Sequence, residues 1–328
     1  MSEFTCAVVG LGRIGSSLEN DPLREKPCTH AGAISANPDC KLIAGCDIKR
    51  EARETFLIQW GALNSVEVFG SIDALLNKIT PDILSIATPL NTHLSLVRAA
   101  ARAGVPIIIC EKPLAHSLPD ARAIARVHSR GKAKIVVNHE RRYSRDYQIV
   151  KERIQSEHYG RLLSIKATLF FGRTAAHRDV LLHDGTHMID IINFLTETSC
   201  TLKKRYGSMR SATPSAFLYG NAGSVPVSLE VGSRRDHLVF ELDLSFEQGR
   251  IRVGNGVLSF EKSTSSPYYS DYRSLLPDTT PDIEQTGYFS GMIADAVNCR
   301  RDPAHMPVSS AKDSLEVMRF IHSARRWL

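Results

Sequence analysis

The sequence predicts an α/β protein that begins with a doubly wound parallel sheet and continues into a domain with a mostly antiparallel sheet. Up to about residue 137, short apolar segments alternate with helical ones, which is the pattern of a parallel sheet. After residue 138, apolar and polar residues alternate, as in 238–242, which is typical of antiparallel strands with one wet face. A chain of 328 residues is long enough for two domains. We therefore predict one domain over 1–137 and a second over 138–328.

The first domain is predicted to contain six strands separated by helices. The strands fall at residues 6–9, 41–47, 66–69, 81–87, 105–110 and 134–137, and the helices at 30–37, 51–60, 71–76, 93–103 and 117–130. Segment 19–29 is rich in charged residues and contains two prolines, so we expect a loop or an interrupted helix there. In a sheet of this kind the ligand lies at the carboxyl ends of the strands.

The second domain is predicted to combine a sheet with four helices. The strands fall at 162–171, 202–209, 225–232, 238–245, 250–253 and 257–260, and the helices at 145–157, 186–195, 285–300 and 310–327. Segment 262–281 is rich in Ser, Thr, Pro and Tyr, and we expect a loop there.

Residues 6–15, CAVVGLGRIG, carry the clearest local signal. Gly10, Gly12 and Gly15 follow an apolar segment at the G-x-G-x-x-G spacing, and Ser16-Ser17-Leu18 is predicted to begin a helix. Gly10 permits a tight turn, Gly12 lets the backbone approach a pyrophosphate, and Gly15 lets helix and strand pack closely. The N-terminus of the helix would then hold the phosphates. A glycine turn without a ligand is the alternative, and the position directly after an N-terminal strand favours a dinucleotide site.

Asp47 ends the second predicted strand, where the dinucleotide pattern places an acid that accepts hydrogen bonds from the ribose hydroxyls. It lies 32 residues after Gly15, and the excess over the usual ~20 matches an insertion at 21–27. An acid there disfavours a 2′-phosphate, so we expect NAD, while Lys49 and Arg50 leave NADP open. The alternative role for Asp47 is to cap the helix that follows.

Other candidate site residues also follow predicted strands directly. Thr88 and Pro89 follow the fourth strand, Lys112 follows the fifth and Asn138 the sixth. Because the carboxyl ends of parallel strands meet at one edge of the sheet, these residues indicate a site at that edge. Lys112 could instead be a solvated lysine in a salt bridge, but its position after a buried strand favours a functional role.

Composition limits the possible partners and compartments. The net charge of +6 favours anionic ligands such as phosphates, but no basic stripe with interleaved aromatic residues indicates nucleic acid. No apolar segment is long enough to cross a bilayer, and the N-terminus lacks the basic and apolar regions of a signal peptide. The seven cysteines are scattered and form no C-x-x-C pair, so we expect reduced thiols in the cytoplasm.

Four motifs follow one another along the chain: GLGRIG at 10–15, ATPLNTH at 87–93, EKP at 111–113 and HDGTHMIDI at 183–191. In these motifs the sequence resembles the glucose–fructose oxidoreductase/inositol dehydrogenase family, over nearly the whole chain and more strongly in the first domain. The resemblance implies a Rossmann dinucleotide domain followed by a domain with a large open, mostly antiparallel sheet. Enzymes of this family oxidise or reduce a carbinol carbon of a sugar, polyol or related compound with NAD(P).

The resemblance also implies that Lys112 of EKP and His187 of the second-domain motif form the catalytic pair. Many members carry an acid four residues before the histidine, where this chain has His183, with Asp184 one place later. Either residue is expected to fill that position, and a helix-capping loop is the alternative for both. A metal site that adds His177 to these residues is a further alternative. No catalytic-zinc signature accompanies them, so no metal is expected.

The cofactor is expected to contact the glycine turn, the acid and the strand-end loops, which comprise Gly10, Gly12, Arg13, Ile14, Gly15, Asp47, Thr88, Pro89, Asn91, His93, Glu111 and Lys112. For His93, a purely structural role as the cap of the following helix is the alternative. The substrate is expected to contact Lys112, Arg141, Arg173, His183, Asp184 and His187. Arg141 and Arg173, with Arg142 and Arg178, could bind an anionic sugar bidentately, and a solvated charge run is the alternative.

The sequence therefore predicts an NAD(P)-dependent oxidoreductase that transfers hydride between nicotinamide and a carbinol carbon of a sugar, polyol or anionic sugar derivative. Lys112 and His187 would handle the proton. One alternative is a non-catalytic protein of the same fold that senses nucleotide or sugar, and another is an oxidoreductase whose cofactor never leaves. We expect no nucleic-acid or membrane partner. We also expect a homo-oligomer, a dimer or tetramer, because large apolar sheet faces seldom stay bare.

Overall fold

A computed structural model describes residues 3–131, 133–172, 176–210 and 213–326. The chain divides into two compact units. The first comprises Met1–Tyr143 and Gln285–Leu315, and the second comprises Ser144–Glu284 and Glu316–Leu328. The structure therefore adds to the first unit a segment near the end of the chain that the sequence analysis placed in the second domain.

The first unit is built on a six-stranded parallel sheet. Its strands are β1 (Phe4–Val9), β2 (Cys40–Cys46), β3 (Glu67–Phe69), β4 (Ile83–Ile86), β5 (Ile107–Cys110) and β6 (Lys134–Val137). They stand in the order β3-β2-β1-β4-β5-β6, and every neighbouring pair is parallel. This is the strand order of a Rossmann fold, in which the chain reverses direction across the sheet between β1 and β4.

Five helices connect these strands: α1 (His30–Ala36), α2 (Arg50–Asn64), α3 (Ile72–Lys78), α4 (His93–Arg102) and α5 (Leu118–Ser129). Three of them begin at a side-chain cap. The hydroxyl oxygens of Thr29, Ser71 and Ser117 accept hydrogen bonds from the backbone N–H groups of Gly32, Ala74 and Asp120. Such caps satisfy N–H groups that have no partner inside the helix, and they fix where each helix starts.

The helix expected to begin at Ser16-Ser17-Leu18 is replaced by a single 3₁₀ turn over Ser17–Asn20. The prolines and charged residues of segment 21–29 stop the helix there, because proline lacks the N–H that a continuing helix needs. The chain then returns to the glycine turn, where His30 N–H donates to the Ile14 carbonyl and Ala31 N–H to the Gly15 carbonyl. Helix α1 thus continues the interrupted element after the insertion.

The second unit is built on an eight-stranded sheet covered by helices α6 (Arg145–Gln155), α7 (His177–His183) and α8 (Gly185–Thr196). Its strands are β7 (Leu162–Phe171), β8 (Cys200–Tyr206), β9 (Ser215–Ala222), β10 (Val225–Gly232), β11 (Leu238–Phe246), β12 (Gly249–Gly254), β13 (Val257–Ser265) and β14 (Arg273–Pro277). The order is β14-β13-β12-β11-β7-β10-β9-β8. All neighbours are antiparallel except β7 and β10, which confirms the mostly antiparallel sheet.

Two of these strands, β9 and β14, were not predicted from the sequence. Strand β9 contains Gly220 and Asn221, residue types with low strand propensity, and it forms because β8 and β10 pair with it on both sides. Strand β14 lies in the segment expected to be a loop and pairs with β13 at the edge of the sheet. An edge strand tolerates Pro277 because one row of its backbone groups has no strand to bond.

Two helices close the chain, α9 (Tyr288–Arg301) and α10 (Ala311–Arg326). Helix α9 buries Phe289, Met292, Ile293 and Ala296 in the apolar core of the first unit, which explains why its segment belongs there. Within the described ranges no helix is long and apolar enough to span a membrane. All seven cysteines lie in those ranges as buried free thiols.

Candidate active site

The loops that follow the strands of the parallel sheet are joined to one another at its carboxyl edge. Each loop begins with a backbone N–H that donates to the last carbonyl of a neighbouring strand. These bonds are Gly10 N to Cys46 O, Ala87 N to Val9 O, Glu111 N to Ile86 O and Asn138 N to Cys110 O. The structure therefore brings the glycine turn and the loops after β2, β4, β5 and β6 to one edge, where this fold binds its ligands.

The three glycines of the turn have different surroundings. A Cβ on Gly10, whose φ is +91°, would lie 2.3 Å from the Ala87 carbonyl oxygen, and a Cβ on Gly15 would lie 1.9 Å from the Gly10 carbonyl oxygen. At Gly12, apart from chain neighbours, no heavy atom of the described residues lies within 4 Å of such a Cβ. The fold therefore needs Gly10 and Gly15, whereas Gly12 borders open space where a pyrophosphate can approach the backbone.

The carboxylate of Asp47 is fixed beside this turn. Its Oδ2 accepts a hydrogen bond of 2.9 Å from Leu11 N–H, and its Oδ1 accepts one of 2.8 Å from Lys49 N–H. The N-cap of α2 is Lys49, so Asp47 closes a turn before the helix and does not cap it. An ionised carboxylate has about four acceptor sites, which leaves capacity for ribose hydroxyls.

The imidazole of His93 joins the loops after β4 and β5. Its Nε2 donates to the Thr88 carbonyl at 3.0 Å and its Nδ1 to the Pro113 carbonyl at 3.1 Å. Carbonyl oxygens only accept, so both ring nitrogens carry hydrogen and the ring is charged. Burial disfavours the charged ring, but Cys110 and the hydrogen bonds to backbone carbonyls outweigh it and raise the pKa of His93 to about 9. The N-cap of α4 is Thr92, so the alternative of a helix cap at His93 is wrong, and the ring instead clamps two loops together. The contact of His93 with the cofactor stays a prediction.

Glu111 of the EKP motif is held by the protein itself. Its Oε1 accepts hydrogen bonds from Asn138 Nδ2 at 2.6 Å and His30 Nε2 at 2.9 Å, and its Oε2 accepts one from Lys112 N–H at 3.1 Å. Burial favours the neutral acid, but His30, Asn138 and Lys112 stabilise the anion and hold the pKa of Glu111 below its usual value. We therefore interpret Glu111 as the anchor of the lysine loop, and its expected contact with the cofactor stays a prediction.

Lys112 is half-buried directly after β5. It interacts electrostatically with a second carboxyl group, that of Glu140, which was not predicted from the sequence. Burial raises the pKa of Glu140, and repulsion from Glu111 adds to this, while the charges of Arg141 and Lys112 act in the opposite direction. Sequence alone gave one hint of this cluster, the position of Asn138 directly after β6. His30 is equally part of it, but its role depends on a partner 81 residues away.

In the second unit, the predicted site residues lie at the junction of two helices. Helix α7 ends at His183, which is exposed, and α8 begins at Gly185. Asp184 separates the helices and is the N-cap residue of α8, and its side chain makes no capping hydrogen bond to that helix, which argues against the alternative of a side-chain cap. His187 is buried in the first turn of α8, with 7% of its surface exposed. His177, the additional metal candidate, bonds the Thr213 carbonyl and the Ser233 hydroxyl through its two ring nitrogens.

The predicted anion-binding arginines have different environments. Arg142 is buried, donates to the Val308 carbonyl at 2.7 Å and lies 3.6 Å from the Asp313 carboxylate, which is a structural role. Arg178 is exposed and lies 3.6 Å from the Asp179 carboxylate. Arg141 is half-buried beside Glu140. Arg173 lies outside the described residues.

A different group of side chains has the spacing of metal ligands. Among the described residues, Asp295, Cys299 and His305 have ligand atoms within 4.8 Å of one another. The Asp295 carboxylate already accepts hydrogen bonds from His305, Tyr143 and Val308 N–H. Burial, with the Asp295 charge, raises the pKa of Cys299 to about 12, which keeps the thiol protonated. We therefore interpret the group as a structural network.

The comparisons with known proteins agree with this geometry in the first unit. Residues 4–139 match the Gfo/Idh/MocA family model, which is described as an oxidoreductase family with an NAD-binding Rossmann fold. Inositol 2-dehydrogenase from Rhizobium meliloti is 30% identical over 165 residues, which cover 49% of this chain and 43% of that protein. The chain thus spans less than half the length of this curated relative.

Solved structures match nearly the whole chain. An oxidoreductase from Agrobacterium radiobacter, in complex with NAD+, L-tartaric acid and magnesium, has a TM-score of 0.73 at 20% identity, over 98% of this chain and 95% of that one. The WlbA dehydrogenase from Bordetella pertussis, in complex with NADH and UDP-GlcNAcA, has a TM-score of 0.74 at 19% identity, over 100% and 97%. At these identities the structures establish the fold.

The different surroundings of the glycines give a first prediction. Gly12→Ala should leave stability unchanged and weaken NADH binding about tenfold, because the added methyl group enters the space for the pyrophosphate. Gly15→Ala should lower the free energy of unfolding by about 2 kcal/mol, because its methyl group meets a backbone carbonyl. Urea unfolding and fluorescence titration with NADH measure both effects. Equal loss of stability in the two variants would contradict the distinction.

The position of Asp47 predicts the choice of cofactor. Asp47→Ala removes a charge that repels a 2′-phosphate, so the ratio of the Kd values for NADPH and NADH should fall about tenfold. Asp73→Ala, which removes an exposed acid from the first turn of α3, is the matched control and should leave the ratio unchanged. An unchanged ratio in Asp47→Ala would remove the acid from the cofactor site.

The charge on His93 predicts a pH dependence of stability. A pKa raised from 6.5 to about 9 in the folded protein stabilises it fully below pH 6.5, and this contribution of about 3 kcal/mol is lost as the pH rises to about 9. The difference in unfolding free energy between wild type and His93→Gln should therefore shrink across this range. His237→Asn, at an exposed histidine, serves as the control. A difference that stays constant with pH would show that the ring is neutral.

Proposed function

From the match of residues 4–139 to the Gfo/Idh/MocA oxidoreductase family with an NAD-binding Rossmann fold, we propose that the chain is an NAD-dependent dehydrogenase or reductase of a sugar, polyol or sugar derivative. The matched residues contain three of the four motifs, GLGRIG, ATPLNTH and EKP. The observation that carries the proposal is the glycine turn, in which Gly10 and Gly15 are enclosed while Gly12 borders open space. Asp47 beside the turn favours NAD over NADP.

The proposed reaction moves a hydride and a proton from one carbinol group. NAD, when bound, supplies the acceptor for the hydride that leaves the substrate C–H bond. The hydroxyl proton must leave at the same time, and the protein must accept it and stabilise the negative charge that develops on oxygen. The reverse reaction returns the proton to the same oxygen.

We assign to Lys112 the stabilisation of the negative charge that develops on the substrate oxygen. The anchor of Glu111 and the clamp of His93 hold the backbone on both sides of this lysine, so its ammonium group is presented from a fixed loop. A group held in this way stabilises charge better than a mobile surface lysine, because it does not reorganise during the reaction.

We assign proton transfer to His187, because an imidazole can both accept and donate a proton. Its burial in the first turn of α8 fixes the ring. His183 and Asp184 are proposed to assist in the substrate contact, in place of the family acid. Arg141 is proposed to favour substrates that carry a carboxylate or phosphate, together with Arg173.

Exposed apolar side chains and free thiols support proposals about the assembly of the protein and the compartment in which it works. Several large apolar side chains of the eight-stranded sheet are exposed by about two-fifths to one half of their surface, which supports a homo-oligomer, a dimer or tetramer: Leu163, Tyr206, Phe217, Tyr219 and Leu238. The seven free thiols support a reducing compartment such as the cytoplasm.

The test is a panel of sugars, polyols, sugar acids and sugar phosphates with NAD and NADP, followed by absorbance of the reduced nicotinamide. Turnover by the wild type should fall about 10²- to 10⁴-fold in kcat in Lys112→Gln and His187→Asn. The Kd for NADH should stay unchanged in His187→Asn, because His187 is not among the expected cofactor contacts. Lys41→Gln and His237→Asn, which change exposed residues of the same types, should retain wild-type kcat.

The outcome separates the enzyme from its alternatives. Tight NADH binding with no turnover on the whole panel would favour a sensor, and nicotinamide that co-purifies with the protein would favour a cofactor that never leaves. Equal kcat in the lysine variant and the wild type would overturn the assignment of Lys112.

A further inference from the structure

A groove of about 320 Å³ on the first unit lies between helices α4 and α5 and is lined by four arginines, Arg98, Arg102, Arg126 and Arg130. The rest of its lining is apolar and small, from two alanines and Val127. No carboxylate is among the lining residues, and within the described ranges none of the four arginines takes part in an ion pair. All four arginines are exposed, so the groove presents to solvent a concentration of positive charge that has no ion pair within the described ranges.

This arrangement opposes the stability of the fold. Arg98 and Arg102 form a like-charged pair at a spacing of four residues on α4, and such a pair destabilises a helix. Arg126 on α5 stands four residues before Arg130, the C-cap of that helix. One basic residue in the last turn of each helix would complement its dipole. That role does not require four guanidinium groups around one concavity.

The groove is separate from the cofactor edge. Helices α4 and α5 each start after the carboxyl end of one strand and lead to the amino end of the next, so their last turns lie at the opposite edge of the sheet. Lys134 N–H at the start of β6 bonds the Pro106 carbonyl just before β5, which marks this amino edge. A ligand in the groove is therefore distinct from the pyrophosphate of NAD.

We infer that this groove binds a small ligand with two or more phosphate groups, such as a free polyphosphate or the phosphate chain of a nucleotide. Guanidinium groups recognise phosphate oxygens bidentately, and four of them match several phosphate groups held close together. The volume lies at the lower end of the ~300–1,000 Å³ range of small-molecule sites. An extended nucleic acid or a membrane surface would call for basic residues spread along a face, whereas these converge on one concavity.

The inference does not depend on the proposed function, and its test keeps the cofactor site occupied. Tripolyphosphate, ATP and orthophosphate are titrated by calorimetry into the full chain with one molar equivalent of NADH, since free NADH, which carries a pyrophosphate, would compete for the groove. Tripolyphosphate should bind at least about tenfold more tightly than orthophosphate, because more guanidinium–phosphate hydrogen bonds form. If ATP binds as tightly as tripolyphosphate, the phosphate chain alone is recognised, and tighter binding of ATP indicates a nucleotide as the source.

The variant R98Q/R126Q, which removes one arginine from each helix, should weaken tripolyphosphate binding about tenfold or more. Arg122→Gln is the matched control, because Arg122 is exposed on α5 and does not line the groove. Thermal unfolding of each variant shows that the fold is retained.

Three results would overturn the inference. The first is the absence of tripolyphosphate binding at millimolar concentration, and the second is equal binding by R98Q/R126Q and Arg122→Gln. The third is binding of an oligonucleotide or of anionic vesicles through these arginines in the absence of tripolyphosphate binding, which would replace the small ligand by a macromolecular partner.

Discussion

The candidate active site depends on two buried charges that hold the backbone around Lys112. Before the lysine, the carboxylate of Glu111 accepts hydrogen bonds from His30 and Asn138 as well as from Lys112 N–H. After it, the imidazolium of His93 binds the carbonyls of Pro113 and Leu114. Burying each charge is costly, and it is tolerated because several hydrogen bonds stabilise the charged form. The result is a lysine whose main chain is fixed on both sides.

The same constraint connects the separate loops of the carboxyl edge. His93 lies after β4, Glu111 after β5 and Asn138 after β6, so the two charged groups join three consecutive strand ends. On the other side of β1, Asp47 binds the backbone of the glycine turn at Leu11. The parallel sheet places these loops side by side, and the charged and polar side chains then fix their conformations. Sites supported by such surrounding bonds hold reacting groups more accurately than isolated loops.

The sequence was sufficient for the parts of the fold that local pattern determines. Apolar segments predicted the six strands of the first unit. Two helices predicted to begin at residues 71 and 117 begin in the structure at the caps Ser71 and Ser117. It was insufficient where distant partners decide the structure. Strand β9 forms through its neighbours, and the roles of His93 and Glu111 depend on contacts 20 to 81 residues away. The helix after the glycine turn was wrongly expected, because the insertion at 21–27 stops it after one 3₁₀ turn and α1 resumes it.

Charge is distributed unevenly between the two edges of the parallel sheet. At the carboxyl edge, acidic and basic side chains occur together: Asp47, Glu111, Glu140, His30, His93 and Lys112. These groups interact with a side chain of opposite charge or make several hydrogen bonds. At the amino edge, Arg98, Arg102, Arg126 and Arg130 line one groove with no carboxylate among its lining. Balanced charge of the first kind fixes a conformation, since each charged group has its hydrogen-bond or ion-pair partner within the protein. Unbalanced charge of the second kind is left on four exposed guanidinium groups, which are available to an anion from outside, as we infer for this groove.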